Sequence, residues 1–77
     1  MDVPSMSRPQ WTDLVTGKKT YQLKFLAAKI LLGRLVHSVK ENPTPANIKS
    51  CIEQVYNVYA KNAGSPSVQE DLTTIFG

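Results

Sequence analysis

Residues 20–41 read TYQLKFLAAKILLGRLVHSVKE, and their apolar side chains recur with helical spacing. Thr20 is a typical N-cap residue for the start of this pattern. The pair Asn42-Pro43 ends it, because a residue that precedes proline avoids the helical region. The stretch therefore predicts one long helix over residues 20–41.

Two apolar stripes run along this predicted helix. The first has the spacing 4-3-4-3-4 and comprises Tyr21, Phe25, Ala28, Leu32, Leu35 and Val39. The second lies on nearly the opposite side with the spacing 3-4-3-4 and comprises Leu23, Leu26, Ile30, Gly33 and His37. A helix with two apolar stripes needs a separate packing partner for each of them.

The segments on both sides of the long helix are also predicted to be helical. Pro45, directly after the cap residue Thr44, begins a one-faced amphipathic helix that runs to Asn62. A short helix over residues 8–15 is expected to stop at Gly17. A last apolar stripe, after Ser65-Pro66, consists of Val68, Leu72, Ile75 and Phe76.

The predicted fold class is all-α. The short connection around Asn42-Pro43 favours an antiparallel hairpin of the two long helices, residues 20–41 and 45–62, with a short flanking helix at each end. We predict a single domain over residues 7–77, a three- to four-helix bundle, after a disordered N-terminus over residues 1–6. A chain of 77 residues holds one domain. Its core contributes only about 3–5 kcal/mol of stability, so a bundle that is completed by dimerisation is an alternative.

The second stripe is the main candidate for a functional surface. One explanation is that Trp11, Leu14 and Val15, or the apolar residues of the last helix, fold over it within one chain. The other is that it meets a second copy or another protein, with Gly33 allowing the two backbones to come close. For that case the predicted interface residues are Leu23, Leu26, Ile30, Gly33, Arg34 and His37.

The charge distribution suggests an alternative function. The chain carries a net charge of +3, and residues 14–40 contain six lysines and arginines but no acidic residue. Such a basic segment is compatible with contacts to a phosphate backbone. The predicted nucleic-acid contacts are Arg8, Lys18, Lys19 and Lys24. A solvated basic surface is the simpler explanation.

Catalysis has little support in the sequence. Cys51 and His37 are the only residues of their kinds, so a disulfide within the chain and a metal site built from several such side chains are excluded. Their wheel positions do not suggest a catalytic pair. Glu70 and Asp71 fit the positive start of the last helix, and we expect them to be solvated. We therefore predict no enzyme, cofactor, metal or small-molecule substrate.

Membrane insertion and export are not expected. The most apolar run, residues 25–36, is short of the roughly 20 residues of a membrane-spanning helix and contains Lys29 and Arg34. The first residues lack the cationic and apolar regions of a secretory signal. With a single cysteine, the sequence favours a reducing compartment, and we predict a cytoplasmic protein.

Overall fold

The computed structural model describes residues 2–77 and contains four α-helices. They are α1 Pro9–Thr16, α2 Leu26–Glu41, α3 Pro45–Lys61 and α4 Pro66–Phe76. Residues 2–77 contain no β-strand. The predicted all-α fold class is therefore confirmed. In the same part of the chain, no helix combines the length and the apolar composition needed to cross a bilayer.

Helix α1 begins at a proline and is followed by a glycine, which both favour a helix end. Pro9 occupies the first helical position, where a missing N–H group costs nothing. Gly17 ends the helix in the left-handed conformation, at φ 71°, which glycine adopts without strain. Trp11, Leu14 and Val15 of this helix are fully buried. The prediction for residues 8–15 is thus shifted by one residue.

Helix α2 is shorter than the sequence predicts. The helix begins at Leu26 rather than near Thr20, and Phe25 precedes it with extended backbone angles, φ −76° and ψ 108°. The predicted N-cap at Thr20 is therefore wrong, and residues 20–25 are not helical. The end of the helix at Glu41 is as predicted.

A buried carboxylate accounts for the late start of α2. Asp71 of α4 has no exposed surface. Its Oδ1 accepts a hydrogen bond from the backbone N–H of Lys24 at 2.6 Å, and its Oδ2 accepts one from the N–H of Phe25 at 3.0 Å. The Tyr59 hydroxyl of α3 donates to the same Oδ2 at 2.9 Å. Hydrogen bonds from two backbone amides to a carboxylate outweigh the weak helical preference of residues 20–25.

The sequence-based interpretation of Asp71 as a solvated residue is wrong. Three donors replace the water that this carboxylate loses on burial, as a buried charge requires. Burial raises the pKa of the Tyr59 hydroxyl well above its ordinary value, and the hydrogen bond and negative charge of Asp71 raise it further. Tyr59 therefore stays protonated and remains a donor to Asp71.

The connection between α2 and α3 is fixed by polar side chains. Thr44 accepts a hydrogen bond at its hydroxyl from the Asn47 N–H at 3.3 Å, which confirms the predicted cap. The Asn47 amide group donates to the backbone oxygens of Asn42 at 2.9 Å and Ser38 at 3.3 Å. These bonds join the last turn of α2 to the first turn of α3.

One apolar core joins all four helices. Its buried members are Trp11, Leu14, Val15, Leu23, Ala28, Leu35, Val39, Cys51, Val55, Tyr59, Val68, Leu72 and Ile75. Helices α1, α2 and α3 contact one another in pairs. The Cα radius of gyration, 11.4 Å, agrees with the value of about 11.5 Å expected for a folded chain of this length.

The N-terminal residues 2–6 contact the core in the structure. The indole N–H of Trp11 donates to the backbone oxygens of Ser5 at 2.9 Å and Pro4 at 3.3 Å. Val3 packs against the core. A buried indole needs an acceptor, and residues 2–6 supply it. Met1, which belongs to the same predicted segment, lies outside the described residues.

We expect Asp71→Asn to lower the free energy of unfolding by about 3 kcal/mol, because the amide group cannot accept from all three donors and its own N–H groups face other donors. This is a large part of the roughly 4–11 kcal/mol typical of a chain of this length. Urea unfolding followed by circular dichroism measures the change. Glu70→Gln, an exposed neighbour with the same loss of charge, is the control, with an expected change below about 0.5 kcal/mol. Equal effects of the two variants would contradict the assigned role of Asp71.

Candidate interaction surface

The side of α2 that points away from the core carries exposed apolar residues. Leu26 is 65% exposed and Ile30 is 54% exposed. With Gly33 and His37, which are also exposed, they form what we call the outer face of α2. On a helix these four positions lie opposite Ala28, Leu35 and Val39, which belong to the buried core. The outer face is thus the part of the second predicted stripe that belongs to the helix.

Exposure on this scale is unusual in the described part of the chain. Residues 2–77 include three large apolar side chains that are exposed, and two of them lie on the outer face of α2, the third being Met6. Scattered apolar side chains are normal on protein surfaces, whereas neighbours on one helix turn form a continuous patch. Leu26 and Ile30 are four residues apart and therefore adjacent.

Gly33 leaves a gap in the middle of the outer face. A Cβ atom added at this position would meet no atom within 4 Å, so no group of residues 2–77 fills the space. Gly33 has ordinary helical backbone angles, so its conformation does not require glycine. Glycine in a helix interior destabilises it by about 1 kcal/mol relative to alanine. Neither packing within the chain nor backbone geometry explains its presence.

Charged residues border the outer face. Arg34 is exposed on one side of it. The Nε2 atom of His37 lies 3.9 Å from the Oε1 atom of Glu41, one turn further along the helix, and both side chains are largely exposed. An exposed pair at this distance contributes little to stability. These residues therefore form a polar border beside the apolar patch.

Leu23 does not lie on this surface. The sequence places it on one stripe with Leu26, but residues 20–25 are extended, and Leu23 is buried in the core with 6% exposure. Side chains alternate between opposite sides of an extended segment, so Leu23 points inward between exposed Gln22 and Lys24. Of the predicted interface residues, the structure brings together Leu26, Ile30, Gly33, Arg34 and His37.

The explanation that the ends of the chain cover the second stripe is wrong for Leu26 and Ile30. Trp11, Leu14 and Val15 of α1 are buried in the core together with Leu72 and Ile75 of α4. The ring of Phe76 packs against Trp11 at an inclination of 59°, with a distance of 5.0 Å between ring centroids. Helix α1 therefore packs against α2, α4 joins the same core, and the outer face of α2 stays open to solvent.

The residues predicted to contact nucleic acid lie in different surroundings. Arg8 precedes α1, and its guanidinium lies 5.4 Å from the Phe76 ring centroid. Lys18 and Lys19 follow the same helix at its other end, about 12 Å away along its axis. Lys24 lines a shallow depression together with Glu70. Contact with nucleic acid stays a prediction of the sequence.

The predicted nucleic-acid contacts leave out two lysines that line a groove with Lys19. Lys29 and Lys40 of α2 line one groove with it, beside Gly33. Their separation by 11 residues places them on the same side of α2, because 11 residues complete about three helical turns. The shared side of α2 is visible in the sequence, but the other wall of the groove is the extended segment, which was not predicted.

The remaining reactive side chains do not converge. Cys51 is buried on α3, with its Sγ atom 3.9 Å from the Asn47 Oδ1, whereas His37 is exposed on the outer face of α2. Within residues 2–77, no three His, Cys, Asp or Glu side chains form a group that fits a metal ion.

Comparisons with known proteins assign no relatives. No protein-family model matches the chain, and no curated protein and no solved structure matches it with significance. The interpretation of its surfaces therefore depends on the geometry described above.

Proposed function

We propose that this chain is a non-enzymatic helical interaction module that self-associates through the outer face of α2. The supporting observation is the exposure of Leu26 and Ile30 beside the unfilled space at Gly33. Fully burying an exposed large aliphatic side chain is worth about 1.5–3 kcal/mol, and Leu26 and Ile30 would each gain the part that corresponds to their exposed 65% and 54%. Because the core is small, this gain would add substantially to the stability of the folded chain.

A second copy fits this face because its spacing is the same in both directions. The positions 26, 30, 33 and 37 are separated by 4, 3 and 4 residues, as in one edge of a heptad pattern. In an antiparallel pair related by a two-fold axis, Ile30 of each copy then lies opposite Gly33 of the other. The bulky side chain enters the space that the glycine leaves open, and the same contact occurs twice, as an isologous interface requires.

The finer arrangement of the fold belongs to this proposal. In it, α2 and α3 form an antiparallel hairpin, with the contact between the two helices and the short connection over residues 42–44 as support. The inner side of α2 packs within the chain, and its outer face is left for the second copy. Dimerisation then gives each stripe of α2 a partner.

We expect the dimer to be weak. Helix α2 has 16 residues and is about 24 Å long, so one face of it covers less than the roughly 800 Å² per partner of a standard interface. A dissociation constant in the micromolar range suits such a small apolar contact. The association should therefore depend on concentration between about 5 and 500 micromolar.

Ile30→Asp tests the interface. The parent chain should approach twice 8.5 kDa as its concentration rises, whereas the variant should remain at 8.5 kDa, because the aspartate would be buried without a partner. Light scattering on a size-exclusion column measures both masses, and circular dichroism verifies the fold. Gln54→Asp introduces the same charge at an exposed position of α3 and should leave the dimer intact. A folded variant with the parent's dimeric mass, or a parent that stays monomeric throughout, would contradict the proposal.

Gly33→Ala separates stability from association. The monomer should become more stable by about 0.5–1 kcal/mol, because the new methyl group meets open space and alanine favours the helix. The dimer should weaken at least tenfold, because the methyl group occupies the place of Ile30 from the other copy. Urea unfolding of the dilute monomer and light scattering measure the two effects. Gly64→Ala, also without a neighbour within 4 Å, should leave the dimer unchanged. An unchanged dimer in Gly33→Ala would exclude close approach at this residue.

A further inference from the structure

A groove with lysines at its rim lies between α2 and the segment that leads into it. We call it the lysine groove; its volume is about 410 Å³, and Lys19, Lys29 and Lys40 are among the residues that line it. The turn at Gly17 lies close to α2 at one end of the groove. A Cβ atom added at Gly17 would lie only 3.3 Å from Cγ1 of Val36. The groove is open along one side and is distinct from Leu26 and Ile30, which do not line it.

The floor of the lysine groove is apolar. Leu32 and Val36 of α2 form one side of it, and buried Leu23 from the extended segment lies on the other. Leu23 can reach this place because residues 20–25 are extended rather than helical. The floor is therefore a product of the same local structure that shortens α2.

The rim of the lysine groove has one sign of charge. Lys19, Lys29 and Lys40 line it, and within residues 2–77 no aspartate or glutamate does. None of the three lysines forms a salt bridge in the described part of the chain. A set of cations without nearby carboxylates attracts anions, and low-dielectric apolar walls strengthen that attraction.

Lys29 and Lys40 of α2 lie at the two ends of an apolar strip. Lys29, Gly33, Val36 and Lys40 are separated by 4, 3 and 4 residues and so share one side of the helix. The two lysines are about 16 Å apart along the axis. Between them Gly33 has no side chain and Val36 is apolar. The strip thus combines a contact surface for an elongated apolar chain with a charge at each end.

We propose that the lysine groove binds an anionic amphiphile with one unbranched acyl chain, whose carboxylate pairs with a lysine at one end of the strip. The tail would lie on Leu32 and Val36. The volume of the groove falls within the range of small-molecule sites, which combine apolar walls with a few polar groups. A nucleic-acid backbone would use the lysines but leave the apolar floor uncovered. This inference does not depend on self-association.

The test is a titration of the isotope-labelled chain with decanoate up to about 10 mM, where a site of millimolar affinity is about nine-tenths filled. Saturable changes in amide chemical shift are expected over residues 16–23 and 29–40. Acetate, which carries the charge without the tail, should produce at least tenfold weaker binding. Ile30 does not line the groove, so Ile30→Asp should still bind decanoate. It should bind at least as tightly as the parent, because the second copy that it no longer binds packs at Gly33, beside the groove.

A matched pair of double variants tests the role of charge. Lys29→Gln with Lys40→Gln should weaken decanoate binding at least tenfold, whereas Lys18→Gln with Lys61→Gln removes the same charge outside the groove and should leave it unchanged. All four lysines are exposed, so both variants should fold. The proposal is overturned by the absence of saturable binding, by shifts that map elsewhere, by equal binding of acetate, or by equal losses in the two double variants.

Discussion

The carboxylate of Asp71 holds the start of α2 in place. It brings together three parts of the chain that are distant in sequence: its own helix α4, the hydroxyl of Tyr59 on α3, and the backbone N–H groups of Lys24 and Phe25. A buried charge with fewer donors would be costly, so each of these contacts supports the burial of the others. The position at which α2 begins is therefore determined by tertiary contacts rather than by local sequence.

Both candidate surfaces depend on this constraint. If residues 20–25 continued the helix, Leu23 would join Leu26 on the outer face, and the second wall of the lysine groove would not exist. The extended segment instead places Leu23 in the core and leaves a shorter patch of Leu26 and Ile30 in solvent. Asp71 touches neither surface, but it positions the chain that delimits each of them.

Much of the fold follows from local signals in the sequence. Pro9, Gly17 and Pro45 mark helix ends because their backbone preferences act within one or two residues. The buried sides of α2 and α3 follow from helical periodicity. This pattern shows which side of a helix is buried without showing what packs against it. The open outer face of α2 was also visible as a second stripe, although its occupant was not.

The start of α2 could not be predicted because residues 21–25 fit two patterns. Tyr21, Leu23 and Phe25 alternate with polar residues, as in an extended segment, while Tyr21 and Phe25 also continue a helical stripe. The choice between the patterns depends on Asp71, some 46 residues further along the chain. The sequence explained Asp71 by electrostatics at a helix start, but it is the sixth residue of α4 and lies beyond the first turn. Its contact with a distant segment has no signature in one sequence.

Hydrogen exchange at the amides of Lys24 and Phe25, measured residue by residue by nuclear magnetic resonance, tests this account most directly. Both amides lie outside the helices, and an extended surface segment normally exchanges quickly. Because they donate to a buried carboxylate, we expect them to exchange as slowly as the amides in the middle of α2 and α3. Exchange at the rate of an unstructured chain, in a protein whose helical amides are protected, would show that Asp71 does not hold the start of α2.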